Sequence, residues 1–274
     1  MRIAITGASG YVGSRLCQRL EREGHEILRL SRRPCEGTWV PFSLSSSPTD
    51  LPLSTIDVLI HAAYDFTSLD WDMTVETNVN PSIKLLQASR KAGVKQILFI
   101  SSMSSFEGCR SVYGRAKFMI ERAALSIGCI VLRPGLVWGN EAGGVMGALE
   151  RALFLSPVLP YPSGSGGLPQ YLVHEEDLTD TITEILSTDQ KSDVISIAQP
   201  TPVTLHTVLE TIAFRHGKRR FFIPIPWQIP WVALQVAERI GITLSFRSDS
   251  LLGLAYGNRT TDTTFFTGDF RTFS

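Results

Sequence analysis

RIAITGASGYVG, residues 2–13, is a short apolar run that breaks at once into glycines spaced G-x-x-G-x-x-G. The run reads as a β-strand, and GYVGSRLCQRLERE (10–23) then reads as a helix. Strand, glycine turn and helix in that order form the context of a dinucleotide fingerprint. Gly7 permits the tight turn, Gly10 lets the backbone approach a pyrophosphate, and Gly13 allows the helix to pack closely on the strand. The helix start offers free N–H groups and partial positive charge to phosphates. Gly7, Ser9, Gly10, Tyr11 and Val12 are therefore the expected phosphate-side residues.

The same rhythm continues. HEILRL (25–30), TWVPF (38–42), DVLIHA (57–62), QILFI (96–100) and CIVLR (129–133) read as strands. Residues 72–92 and YGRAKFMIERAALSI (113–127) read as helices. Such alternation means βαβ units and a parallel sheet covered on both faces. The expected fold is α/β, a Rossmann-type doubly wound parallel sheet over 1–135, completed by parts of 170–200. Beyond Gly135 glycines and prolines gather at 139–147 and 157–169; a helix (175–187), a strand DVISIA (193–198) and a helix (204–216) follow. Residues 136–274 are expected to form a smaller α/β substrate lobe, partly interleaved with the sheet. FFIPIPWQIPWVALQVAERIG (221–241) contains three prolines and is interrupted by Gln228, Gln235, Glu238 and Arg239. It is expected to pack on the lobe as an amphipathic helix from about Pro226, not to span a membrane. The tail from Asn258 is polar and aromatic and suggests no element.

Apolar residues make up 43% of the 274 and charged residues 19%, a globular balance with material for a sizeable core. Lys+Arg and Asp+Glu both total 26, so no global field points to nucleic acid or an anionic membrane. An anionic ligand must be held locally. Cys17, Cys35, Cys109 and Cys129 are scattered, which suits reduced thiols in the cytoplasm. The opening MRIAITG has none of the regions of an export signal, which agrees. The histidines show no ligand spacing, and no metal is expected.

Two further stretches carry chemistry. The second strand ends in Ser31-Arg32-Arg33, without the carboxylate that reads a free ribose 2′-hydroxyl. Two guanidiniums there suit a 2′-phosphate, so NADP is expected, with NAD as the alternative. In SVYGRAK (111–117), Lys117 lies one helical turn beyond Tyr113. An ammonium beside a phenol lowers a pKa that is ordinarily about 10, which would make Tyr113 a proton donor and acceptor near neutrality.

With TGASGYVG, DVLIHAA (57–63), TNVNPSIKLLQAS (77–89), FISSMS (99–104), YGRAK (113–117), LRPGLVWG (132–139) and YLVHEEDL (171–178) in this order, most of the chain resembles the extended or atypical short-chain dehydrogenase/reductases. That group includes NAD(P)-dependent nucleotide-sugar epimerases and reductases. The resemblance implies that Tyr113 is the acid/base, that Lys117 supports it and binds the nicotinamide ribose, and that Ser102, three residues after Phe99, orients the reacting oxygen. Ser101 and Ser104 compete for that last role. Ala62 and Ala63 match the small residues against which the cofactor lies, and Pro134-Gly135 match the loop beside the nicotinamide. Asn78 reads as a residue that satisfies backbone groups. His174 reads as structural at the start of a helix, with Asp177 complementing the dipole and Glu175 and Glu176 solvated.

Met103-Ser104 stands where sugar 4,6-dehydratases of the family carry acidic residues, which argues against elimination chemistry. The interval from Ser102 to Tyr113 is short, and Ser43 stands near where an aspartate often reads the adenine amino group. The resemblance implies a redox enzyme or epimerase acting on a nucleotide sugar. The alternatives are a reductase of a non-sugar carbonyl and a non-catalytic NADP-binding scaffold or redox sensor. A diphosphate would need a cation, for which Arg133, Arg215, Lys218, Arg219 and Arg220 are available. A homodimer through helices 72–92 and 113–127 is expected by the same resemblance.

Overall fold

The structure, a computed structural model, describes all residues except 142, 189–192, 243, 245, 258–263, 266–268 and 274. In chain order β1 (Arg2–Thr6) runs into α1 (Tyr11–Arg22), followed by β2 (Glu26–Ser31), β3 (Trp39–Pro41) and β4 (Val58–His61). Next come α2 (Trp71–Thr74), a π-helical turn (Val75–Val79) and α3 (Asn80–Lys91). β5 (Gln96–Ile100), α4 (Val112–Ser126), β6 (Ile130–Pro134) and β7 (Leu136–Trp138) follow. After α5 (Gly144–Leu153) lie β8 (Val158–Ser163), β9 (Pro169–Gln170), β10 (Leu172–His174), α6 (Glu175–Ser187) and β11 (Val194–Ile197). The rest comprises β12 (Val203–Thr204), α7 (Leu205–Arg215), β13 (Phe221–Pro226), α8 (Gln228–Arg239), α9 (Ser248–Ala255) and β14 (Thr264–Phe265).

The main sheet has eight strands in the order β3-β2-β1-β4-β5-β6-β11-β14, all parallel. Its strands are apolar on both faces because both are covered. Ile3, Ile5, Val58, Ile60, Leu98 and Leu132 point into one core with Leu16 and Leu20 of α1 and Ile182 of α6. Their alternates Ala4, Leu59, Ile97, Phe99 and Val131 point into a second core with Leu85 of α3 and Ile120 of α4. Each fully buried Leu or Ile contributes about 1.5–3 kcal/mol of transfer free energy. The strand order reverses between β1 and β4, and a doubly wound sheet opens its ligand crevice at such a point, beyond the carboxyl ends. The glycine turn follows β1 and Ala62-Ala63 follow β4, so both flank it.

A third apolar cluster joins Trp138, Met146, Leu149, Leu153, Leu172, Leu205 and Leu209. Two local differences from the sequence reading arise here. The glycine-rich stretch 139–147 runs into helix α5, because Met146, Leu149 and Leu153, on one helical face, are buried in this cluster. Tertiary burial outweighs the cost of glycine, about 1 kcal/mol. Residues 221–241 do form a helix, α8, after a strand, but none of its residues is fully buried. Its inner side carries Glu238, whose carboxylate accepts Ser248 N and Oγ, and its apolar stripe faces outward. Of the tail, 258–263 and 266–268 lie outside the described residues.

Candidate functional site

The site starts from Thr6, the last residue of β1. Its Oγ1 accepts the N–H groups of Ala62 and Ala63, both at 3.1 Å, and meets His61 Nδ1 at 2.7 Å. With its acceptor capacity engaged, the Thr6 hydroxyl donates to Nδ1. The ring proton then belongs on Nε2, 2.9 Å from Ser82 Oγ. This buried network ties β1 to β4 directly beneath the glycine turn. Burial pushes the His61 imidazole down to about 3, helped by the Lys117 charge. Below pH 6.5 the unfolded chain protonates this ring and the folded chain does not, so folding stability falls with pH until about 3. In acid denaturation, His61→Asn is expected to flatten this loss by up to about 1.4 kcal/mol per pH unit. An unchanged slope would remove His61 from the account.

Gly7 has φ +70° and packs so closely on β4 that an added Cβ would lie 3.0 Å from Ala63 N and Cα. At Gly13 a Cβ would stand 2.2 Å from Gly7 O. Gly10 is exposed, and its N–H closes the turn on Gly7 O at 2.8 Å. Helix α1 has no side-chain cap and no acid in its first turn, so its leading N–H groups are left for an anion. Ser9 and Val12 border this turn half-buried. The cradle fits a pyrophosphate.

Tyr11 turns elsewhere. Its hydroxyl donates to Glu175 Oε2 at 2.5 Å, and Arg15 Nε reaches the same oxygen at 3.0 Å. Asn140 N approaches the other oxygen, and Arg15 also binds Asn140 O. Glu175, expected in solvent, is therefore buried; it fastens the start of α1 to α6 because three donors replace its water. Burial and the Glu175 carboxylate drive the Tyr11 phenol well above its ordinary value. Glu176 is exposed as expected. Asp177 does more than complement a dipole: it is buried and binds the Arg271 backbone and guanidinium. His174 caps α6 by accepting Glu176 N, and its ring packs on Trp138 at 4.3 Å.

At the end of β2, Arg33 is exposed and Arg32 pairs with Asp65 at 3.0 Å. With Arg32 64% exposed, that pair is worth at most about 1 kcal/mol and yields readily to a phosphate. Asn78, in the π-helical turn, holds the loop after β4 by accepting Asp65 N at 2.7 Å and donating to Asp65 O at 3.0 Å.

Beyond β5 the structure separates the three candidate serines. Ser101 donates to Glu121, which also grips Arg133 through two bonds of 2.9 and 2.6 Å, so Ser101 belongs to a buried structural network. Ser104 donates its N–H to Ser102 Oγ at 3.1 Å. Ser102 stands beside Tyr113, and its influence on the phenol is in the sense that favours the phenolate. Met103 N, in the same loop, donates to Pro134 O at 3.0 Å, which brings the end of β6 to the site.

Tyr113 lies in the first turn of α4. Ser111 caps that helix by accepting Gly114 N, and Asp249 of α9 accepts Val112 N at 2.6 Å and Tyr113 N at 3.1 Å. The Tyr113 ring meets Tyr64 edge-on at 4.9 Å and stacks on Phe66 at 5.6 Å. Arg247 donates to Phe66 O. The expected drop in the phenol's pKa does not occur: burial pushes Tyr113 up to about 12, and burial pushes Lys117 down to about 7. Desolvation penalises both charged forms and outweighs their proximity. Lys117 Nζ donates to Ile100 O at 2.8 Å and lies over the Phe99 ring, 5.8 Å from the centroid of Tyr113.

Sequence reasoning missed Asp249, Tyr64, Phe66 and the Thr6–His61–Ser82 network. Only Tyr64 and Phe66 left a signal, as aromatics just beyond the Ala62-Ala63 pair. No group of His, Cys, Asp and Glu among the described residues could hold a metal ion.

Comparison with known proteins agrees with this fold. An uncharacterised protein of Mycobacterium tuberculosis is 25% identical over 215 residues, 76% of this chain; the match spans only 23% of that relative's length. The ceramide reductase of Caulobacter vibrioides is 27% identical over 208 residues, covering 70% of this chain and 64% of the reductase. Among solved structures, MoeE5 in complex with UDP-glucose and NAD superposes with a TM-score of 0.69 at 23% identity, covering 82% of this chain and 85% of MoeE5, a likeness of fold. The model of the NAD dependent epimerase/dehydratase family matches residues 3–198, and the chain belongs to that family.

Proposed function

We propose that this chain transfers hydride between a nicotinamide and a carbinol or carbonyl carbon, with Ser102 and Tyr113 holding the oxygen. The observation that carries this is the placement of Ser102 beside the Tyr113 phenol, just beyond the sheet's carboxyl edge, with α4 held by the Asp249 clamp. The bound cofactor supplies the hydride chemistry. In the reduction direction Tyr113, kept protonated by burial, gives its proton as charge develops on the oxygen, and Ser102 donates a second bond. Lys117, with a pKa near 7, is able to exchange a proton at neutral pH. Arg32 and Arg33 favour NADP, with NAD as the alternative.

For the substrate, a nucleotide sugar is supported by the likeness to MoeE5 with its UDP-glucose. In that reading residues 136–274 supply the substrate lobe. A second reading, reduction of a non-sugar carbonyl, is favoured by two observations. Arg133 is committed to Glu121, and the phenol's neighbours Tyr64 and Phe66 are aromatic. The Caulobacter relative points the same way. A non-catalytic scaffold is disfavoured because Ser102, Tyr113 and Lys117 are assembled together. Exposed Met73 and Met119 support a homodimer through 72–92 and 113–127. None of the four cysteines forms a disulfide, which supports a cytoplasmic setting.

A thermal-shift panel of nucleotide sugars and apolar ketones, each with NADP or NAD, tests these choices. A ligand that binds the native state raises Tm by mass action. NADP is expected to give the larger shift of the two dinucleotides, and a nucleotide sugar a further one. A shift with ketones alone selects the second reading, and no shift with either dinucleotide rejects the proposal.

A further inference from the structure

Helix α8 is mounted with its apolar side outward. Ile229, Val232, Val236 and Ile240, spaced to share one face, are 51–69% exposed. On β13, just before it, Phe221 is 74% and Ile223 49% exposed, while Phe222 between them packs on the third cluster. An amphipathic helix ordinarily buries this stripe, and contiguous apolar surface of this kind marks a docking face.

The charge of the same segment indicates what covers it. Residues 216–247 hold Lys218, Arg219, Arg220, Arg239 and Arg247 against Glu238 alone, in a chain whose charges balance overall. Glu238 is turned inward to Ser248, whereas Lys218, Arg219 and Arg239 are exposed. Trp227 and Trp231 lie on the opposite, inner side, where Trp227 packs on the third cluster, Trp231 and Tyr256, so the outward stripe is aliphatic.

We propose that this face docks on an anionic lipid bilayer, with α8 lying in the interfacial plane and the exposed Lys218, Arg219 and Arg239 against the lipid phosphates. Apolar area and cationic residues together set the strength of such binding. A second copy fits less well, because an isologous contact would place this basic segment against itself without acidic complement. No helix among the described residues is long and apolar enough to cross a membrane, so the contact is peripheral. The proposal is independent of the reaction at Tyr113.

Sedimentation of the full chain with vesicles tests it, using phosphatidylcholine alone and phosphatidylcholine mixed with phosphatidylglycerol. Binding to the mixed vesicles is expected to be at least about tenfold stronger and to weaken with added salt. Val232→Ser/Val236→Ser is expected to abolish it, leaving Tm and NADPH affinity as in wild type, since both side chains face solvent. Lys218→Gln/Arg219→Gln is expected to remove most of the preference for anionic lipid. Absence of vesicle binding overturns the proposal. So does binding indifferent to the valine pair, or a dimer by light scattering that the valine pair dissociates.

Discussion

Tyr113→Phe is expected to lower turnover by about 10²–10⁴-fold, the usual worth of a positioned proton donor, and to leave NADPH affinity nearly unchanged. The substitution removes one hydroxyl and keeps the ring that packs on Tyr64 and Phe66, while Asp249 holds the backbone N–H whatever the side chain. Turnover is followed by NADPH consumption with the substrate found in the ligand panel, and affinity by fluorescence titration. Lys117→Ala is the contrasting variant and should impair both. It vacates a buried site against Ile100 O and Phe99 as well as a group that titrates near neutrality. Retained turnover in Tyr113→Phe would reject the assignment of the phenol.

Gly13→Ala should weaken dinucleotide binding by a different route. The added methyl would stand 2.2 Å from Gly7 O and 2.8 Å from Gly7 C, and both are backbone atoms at the turn itself. Either α1 must move off β1 or the turn must open, and the turn's conformation depends on Gly7 at φ +70°. Overpacking of this kind costs about 1–3 kcal/mol in stability. Displacing the α1 N–H groups from the phosphates should weaken NADPH binding at least about tenfold, roughly 1.4 kcal/mol. Calorimetry for Tm and titration for affinity measure the two effects. Undiminished affinity would mean that the pyrophosphate does not lie on this turn.

The central sheet was legible because its strands are apolar on both faces and its glycines stand where only a turn fits. Ile3, Ile5 and Ala4 sort between the two cores by alternation alone. The lobe was less legible. Helix α5 begins among glycines, and only the third cluster, whose members come from distant parts of the chain, explains it. Asp249 was invisible for a similar reason: its hold on Val112 and Tyr113 joins residues more than a hundred positions apart, and nothing local marks it. The pairing of Tyr113 with Lys117 was found, but its electrostatics were misjudged. Spacing reveals proximity, whereas the pKa values follow from desolvation, which depends on everything packed around the pair. Glu175 shows the same limit, an acid at a helix start that looks solvated until Tyr11, Arg15 and Asn140 close on it.

The central claim is that a dinucleotide lies across the point where the strand order reverses, with its reactive ring at Tyr113. A crystal structure of the chain with NADP bound tests this most directly. The pyrophosphate is predicted on the N–H groups of residues 9–12, the 2′-phosphate at Arg32 and Arg33, and the nicotinamide on the side of Ser102 and Tyr113. A dinucleotide bound in the opposite sense, or seated away from the turn between β1 and α1, would contradict it.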